Sequence, residues 1–111
     1  LNLTWEVREG IAKHKSTYDR PVQGRFDPDK QPSLEMQIVN VADEIAYNTH
    51  DLDDGLEAGI LTYDTLKDVA VWQNAYNEIC KKYPQANDEV RRYYAIRCLI
   101  NQQVSEVVKY T

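Results

Sequence analysis

Two aspartates and a tyrosine recur at four-residue spacing in Asp43, Tyr47 and Asp51, with His50 beside the last. In a helix, ~100° per residue places Tyr47 ~40° and Asp51 ~80° from Asp43, and His50 at about −20°. The four side chains then form one stripe. A carboxylate fixed on a helix is a hard ligand for a divalent cation. A tyrosine one turn on can stack against or hydrogen-bond a sugar. A second carboxylate, a further turn along, can accept from sugar hydroxyls. The same pattern also describes a solvated helix face, and spacing alone leaves both readings open. His50-Asp51 is a weak metal pair in itself, because neighbouring helical residues point ~100° apart. Asp51, Asp53 and Asp54 lack the D-x-D-x-D-G spacing of a calcium loop, and Asp53-Asp54-Gly55 reads as the end of a helix.

Other chemistries fail on inventory. The chain has no phosphate-binding G-x-x-x-x-G-K-[ST], no G-x-G-x-x-G and no G-x-S-x-G. Cys80 and Cys98 sit in apolar-periodic segments without C-x-x-C or clustered Cys/His spacing, which argues against structural zinc. They read as reduced, half-buried thiols of a cytoplasmic protein. The formal charge of −5 opposes non-specific nucleic-acid binding, which needs a basic surface. No apolar run approaches the ~20 residues of a membrane span. With 28% charged and 42% hydrophobic residues, the chain of 111 residues reads as a small globular unit.

Four helices and no strand are expected, an all-α fold. The first covers Leu3 to Lys15, with Thr4 as a possible N-cap and Leu3, Val7, Ile11 and Ala12 near one face. Residues 16–32 hold three of the four prolines and form a long loop. Ser33 caps a second helix over Leu34 to Leu52. Its apolar arc, Leu34, Ile38, Val41, Ala42, Ile45, Ala46, Thr49 and Leu52, is expected to face the core. A third helix covers Thr65 to Lys82, with Val69, Trp72, Tyr76 and Ile79 at helical spacing; Lys81 and Lys82 suit its C-terminal dipole, and Pro84 follows its end. Asn87 or Asp88 caps the last helix, Glu89 to Tyr110. Its expected apolar side is Val90, Tyr93, Tyr94, Leu99, Ile100, Val104, Val107 and Val108.

Two stretches resemble a known family closely. One is Leu1-Asn2-Leu3-Thr4-Trp5-Glu6-Val7-Arg8-Glu9-Gly10-Ile11. The other runs from Leu34-Glu35-Met36-Gln37 through Val41-Ala42-Asp43-Glu44-Ile45-Ala46-Tyr47-Asn48-Thr49-His50-Asp51 to Leu56. Both resemble the bacterial dGTPase-like deoxynucleoside triphosphate triphosphohydrolases, of the HD-domain phosphohydrolases. Arg91-Arg92 through Ile100-Asn101 resembles the C-terminal associated region more loosely. The resemblance implies an all-α fold and cleavage of dGTP or other dNTPs to deoxynucleoside and triphosphate. It implies a divalent cation (magnesium, manganese or similar) held by a His, an adjacent His-Asp pair and a later Asp. On that pattern Asp43 is the later metal ligand, Tyr47 packs on the deoxyribose or base, and Asp51 binds the 3′-hydroxyl. Lys13 is a candidate triphosphate contact, with Arg8, Lys15, Arg91 and Arg92 as weaker ones.

The rest of the family's metal set has no counterpart here. His14 precedes Asp43 but is followed by Lys15, and His50-Asp51 comes after Asp43, in the wrong order. The chain is therefore read as a central-to-C-terminal fragment with an incomplete metal site, inactive by itself. Residues 1–60 would be the end of the catalytic domain and 61–111 part of the helical C-terminal region. The partners implied are a dNTP substrate, a possible regulatory nucleotide and further copies of the same chain. The rival reading is a helical, nucleotide-regulated oligomerisation module without catalysis.

Overall fold

A computed structural model describes residues 2–14 and 25–111. Most of the expected loop, residues 16–24, lies outside the described residues, as does Lys15. Four helices follow in order: α1 (Trp5–Lys13), α2 (Leu34–Glu57), α3 (Ala70–Lys82) and α4 (Asp88–Tyr110). The described residues contain no strand, so the all-α expectation holds. They divide into two compact units, residues 1–44 and 45–111, with the division falling inside α2.

In the first unit, Thr4 caps α1. Its Oγ1 accepts from the Val7 N–H at 3.4 Å, satisfying one of the N–H groups that a helix start leaves unpaired. His14 ends the helix, its N–H turning back to the Ile11 carbonyl. Gly10 is buried against Met36, and a Cβ built there would overlap the Met36 side chain. Trp5 packs against Phe26 with ring centroids 4.7 Å apart and the planes tilted by 57°. The apolar arc expected to be core is largely open in this unit: Leu34 is 69% exposed, and Ile38 and Val41 are also exposed. Periodicity marked an apolar face correctly, but no described element of residues 2–44 covers it.

In the second unit α2 continues five residues past the expected Leu52, because Asp53 to Glu57 keep helical geometry through Gly55. Gly59 stops it. Its φ of +69° is the left-handed conformation that a side chain resists, and its N–H returns to the Leu56 carbonyl. Leu61 then packs over Gly55 and donates its N–H to the Gly55 carbonyl at 2.9 Å. Thr62 and Thr65 cap each other, each hydroxyl accepting from the other's backbone N–H. That closed turn, with the Val69 N–H bonded to the Leu66 carbonyl, delays α3 to Ala70 rather than Thr65. Asn87 caps α4, accepting from the Val90 N–H at 2.8 Å.

The core of this unit is Leu66, Trp72, Ala75, Ile79, Ala95, Ile96 and Leu99, with Leu52, Leu56, Tyr63 and Tyr76 packed on it. The short 83–87 connection lets α3 fold back along α4, the two helices packing directly. The expected core face of α4 needs correction. Leu99 is buried as expected, but its neighbours in the core are Ala95 and Ile96, while Val90, Tyr93, Tyr94, Val104 and Val108 are exposed. Small Ala75 and Ala95, both fully buried, let the two backbones approach closely enough to bring that stripe inward. On α3, Trp72 and Ile79 are buried as the spacing predicts and Tyr76 is half-buried, but Val69 is exposed and Ala75 takes a core place that the spacing did not single out.

Candidate functional site

The residues proposed for chemistry from spacing all lie on α2. Asp43 belongs to the first unit; Tyr47, His50 and Asp51 belong to the second. All four are exposed, whereas Ile45 and Thr49 between them are buried. Thr49, the one buried polar residue of this stretch, donates its hydroxyl to the Ile45 carbonyl at 2.7 Å, so nothing polar is stranded inward. Helical periodicity thus turns the carboxylates, the phenol and the imidazole outward while the helix buries its other side.

Around Asp43 the first unit builds more than the stripe foretold. His14, at the end of α1, sets its Nδ1 2.7 Å from Asn40 Oδ1. Its other ring nitrogen, Nε2, lies 3.6 Å from Asp43 Oδ2. Asn40 and Asp43 are three residues apart on a helix and share one face, so a single imidazole edge spans both. This cluster escaped the sequence reading. No aspartate follows His14, and nothing in residue order ties it to positions 40 and 43.

Lys13 is placed differently from a mobile surface lysine. Its ammonium pairs with Glu9 at 2.7 Å and donates to the Lys30 carbonyl at 2.6 Å, with only 10% of its side chain exposed. An ammonium carries three donors, so this arrangement leaves capacity for one more acceptor. Arg91 and Arg92 are used locally. Arg91 donates to the Pro84 carbonyl at 2.7 Å, and Arg92 contacts Asp53 and Glu57. A groove of about 440 Å³ runs beside Arg92, lined by Asp53, Glu89, Val90, Tyr93 and Tyr94.

As to metal, Asp43 offers a hard oxygen donor with half its side chain exposed. Among the described residues no three His, Cys, Asp or Glu side chains gather to hold an ion. These residues fit one corner of a coordination shell, not a whole one. Cys80 and Cys98 are free thiols, and burial together with the neighbouring Glu78 carboxylate pushes the Cys98 thiol up, away from reactivity. No helix of the described residues is long and apolar enough to cross a membrane.

Comparison with curated proteins decides the lineage. A protein of Geobacter metallireducens named deoxyguanosinetriphosphate triphosphohydrolase-like is 48% identical over 109 residues, covering 96% of this chain and 28% of its own. Its namesake in Geobacter sulfurreducens is 43% identical over 114 residues, covering the whole of this chain and 29% of its own. The chain is homologous to one stretch of the deoxyguanosinetriphosphate triphosphohydrolase-like proteins. A third such relative, from Thiobacillus denitrificans, is 41% identical across the whole chain, which spans 31% of it. The chain thus covers less than a third of the length of these triphosphohydrolase-like relatives. No family model matches it, and no solved structure matches it significantly.

Proposed function

We propose that the chain is part of a metal-dependent dNTP triphosphohydrolase, cleaving dGTP or another dNTP to deoxynucleoside and inorganic triphosphate. The observation that carries this reading is the Asp43-Tyr47-Asp51 stripe. It stands exposed on one continuous helix, in a chain whose homology to the triphosphohydrolase-like proteins runs end to end. Asp43 contributes one oxygen ligand to a divalent cation, and the remaining ligands come from the rest of the longer protein. Such a cation, when bound, polarises a phosphoryl oxygen. Tyr47 packs its ring against the deoxyribose or base. Asp51 accepts from the sugar 3′-hydroxyl and so selects for it. Lys13, pre-positioned by Glu9, offers its remaining donor to the triphosphate and offsets its charge. The free thiols are consistent with work in the reducing cytoplasm.

The test uses the full-length protein with dGTP and the other dNTPs in the presence of Mn²⁺. Release of intact triphosphate, lost in Asp43→Ala, is expected. Release of pyrophosphate or orthophosphate instead, or full turnover and metal content in Asp43→Ala, overturns the assignment. The isolated chain of 111 residues is expected to be inactive, because one carboxylate does not hold a cation tightly. A second reading, a helical module that assembles copies under nucleotide control, is favoured by the exposed apolar residues Val104, Val108 and Tyr110 on α4. Nucleotide-dependent association of a protein that releases no triphosphate selects it.

A further inference from the structure

We infer that Glu9 and the turn 27–30 position Lys13, their two oxygens seating its ammonium and leaving its third N–H for a phosphate oxygen of the substrate. The inference rests on the reading of Lys13 as a triphosphate contact. Glu9 lies one turn before Lys13 on α1, and its Oε1 accepts from the ammonium at 2.7 Å. The Lys30 carbonyl, 17 residues on, accepts at 2.6 Å. The pair is shielded from water, with 10% of the Lys13 side chain and 19% of the Glu9 side chain exposed.

The second oxygen comes from backbone built to hold still. Asp27-Pro28-Asp29-Lys30 has an aspartate and then a proline where a tight turn favours them. Asp27 Oδ1 accepts from the Asp29 N–H at 3.0 Å, and the Asp27 carbonyl accepts from the Lys30 N–H at 3.4 Å. Both flanks are tied down: Phe26 packs against Trp5 of α1, and the Pro32 carbonyl accepts from the Gln37 side chain of α2 at 2.9 Å. A lysine free in solvent gives up rotamer freedom when an anion binds, whereas two acceptors have already fixed this one. Charge alone gives the opposite sign. A carboxylate beside an anion site repels the anion, so removing Glu9 would then tighten binding. The direction of the Glu9 effect separates seating from plain electrostatics.

The experiment is calorimetric titration of the full-length protein with inorganic tripolyphosphate, without added metal, with kcat and KM for dGTP read separately. Lys13→Ala is expected to weaken tripolyphosphate binding by about 10- to 150-fold, the loss of a charge-assisted hydrogen bond. Glu9→Ala is expected to weaken it by about 3- to 10-fold at unchanged stoichiometry, a part of the rotamer entropy of a lysine, and to raise KM by a similar factor. A variant that merely unfolds lowers the stoichiometry instead. Glu9→Gln keeps an accepting oxygen and is expected to bind like the wild type or tighter. Asp27→Ala, which loosens the turn, is expected to weaken binding by less than Glu9→Ala. If Glu9→Ala binds as tightly as the wild type or more so while Lys13→Ala does not, the seat is refuted and the triphosphate contact stands. If Glu9→Gln is as damaging as Glu9→Ala, Glu9 does not act through an accepting oxygen. An unchanged affinity in Asp27→Ala removes the turn from the seat. If Lys13→Ala binds normally, the reading of Lys13 itself falls and takes this inference with it.

Discussion

Arg92 Nε on α4 lies 2.9 Å from Asp53 Oδ1 on α2, and its Nη2 lies 3.4 Å from Glu57 Oε2. The Nε and Oδ1 atoms are buried, yet the N–H is not aimed at the oxygen, so this is a charge contact without a well-directed hydrogen bond. It ties the end of α2 to the start of α4 inside the second unit. Removing one partner leaves the other charge poorly solvated. Arg92→Ala is expected to destabilise the protein by about 1–3 kcal/mol. A double-mutant cycle with Asp53→Asn in urea unfolding checks it, and additive losses would show the two groups to be independent.

Gly10 offers a test by sign. In an open helix, Gly→Ala stabilises by about 1 kcal/mol. Here a new Cβ overlaps Met36, whose Cγ, Sδ and Cε would all have to move. Gly10→Ala is therefore expected to destabilise, by about 1–3 kcal/mol. Thermal melts of Gly10→Ala with and without Met36→Ala read the coupling. A raised melting temperature in the single variant would mean that Met36 swings aside at no cost.

Local signals were legible in residue types, and long-range ones were not. Thr4 and Asn87 cap helices as short polar side chains do, and Trp72 and Ile79 are buried as their spacing on α3 predicts. Periodicity reports that a face is apolar without saying what covers it. For that reason Leu34, Ile38 and Val41 stand exposed where a core face was expected. The stripe on α2 was legible because one helix sets it. The His14–Asn40 contact, 26 residues apart, and the Arg92–Glu57 contact, 35 apart, depend on how separate helices meet. The lysine at position 13 could be nominated by charge, and Glu9 one turn before it by spacing, but not the Lys30 carbonyl 17 residues on.

Tyr76 packs beside Trp72 and Tyr63 in the second unit, ring centroids 5.5 and 5.0 Å away. Burial first, then the nearby Tyr63, Cys80 and Asp88, pushes its hydroxyl from 10.0 up to about 12. The folded state therefore keeps a proton that the unfolded chain loses. The unfolded state binds fewer protons above its own value, so stability falls as pH rises. That contribution is intact below pH 10 and is lost as pH climbs toward about 12. Tyr76→Phe is expected to flatten the alkaline decline, read as unfolding free energy against pH with tyrosinate absorbance as a second probe. An unchanged slope would assign the decline to other groups, such as Tyr63, which burial also raises.

Asp51 stands exposed two turns along α2 from Asp43, and its proposed work is recognition of the sugar rather than chemistry. Two consequences separate these roles. First, a lost hydrogen bond to a charged acceptor costs about 1–3 kcal/mol, so Asp51→Ala should raise KM for dNTPs roughly 5- to 150-fold. Second, a substrate without a 3′-hydroxyl has nothing to lose, so 2′,3′-dideoxynucleotides should be turned over equally by wild type and variant. Steady-state kinetics of the full-length protein on matched deoxy and dideoxy pairs measure both. An equal loss on the two substrates would move Asp51 from sugar recognition to support of the helix or of Asp43. A selective loss ties the stripe to the sugar, because a solvated helix face has no means of sensing one hydroxyl.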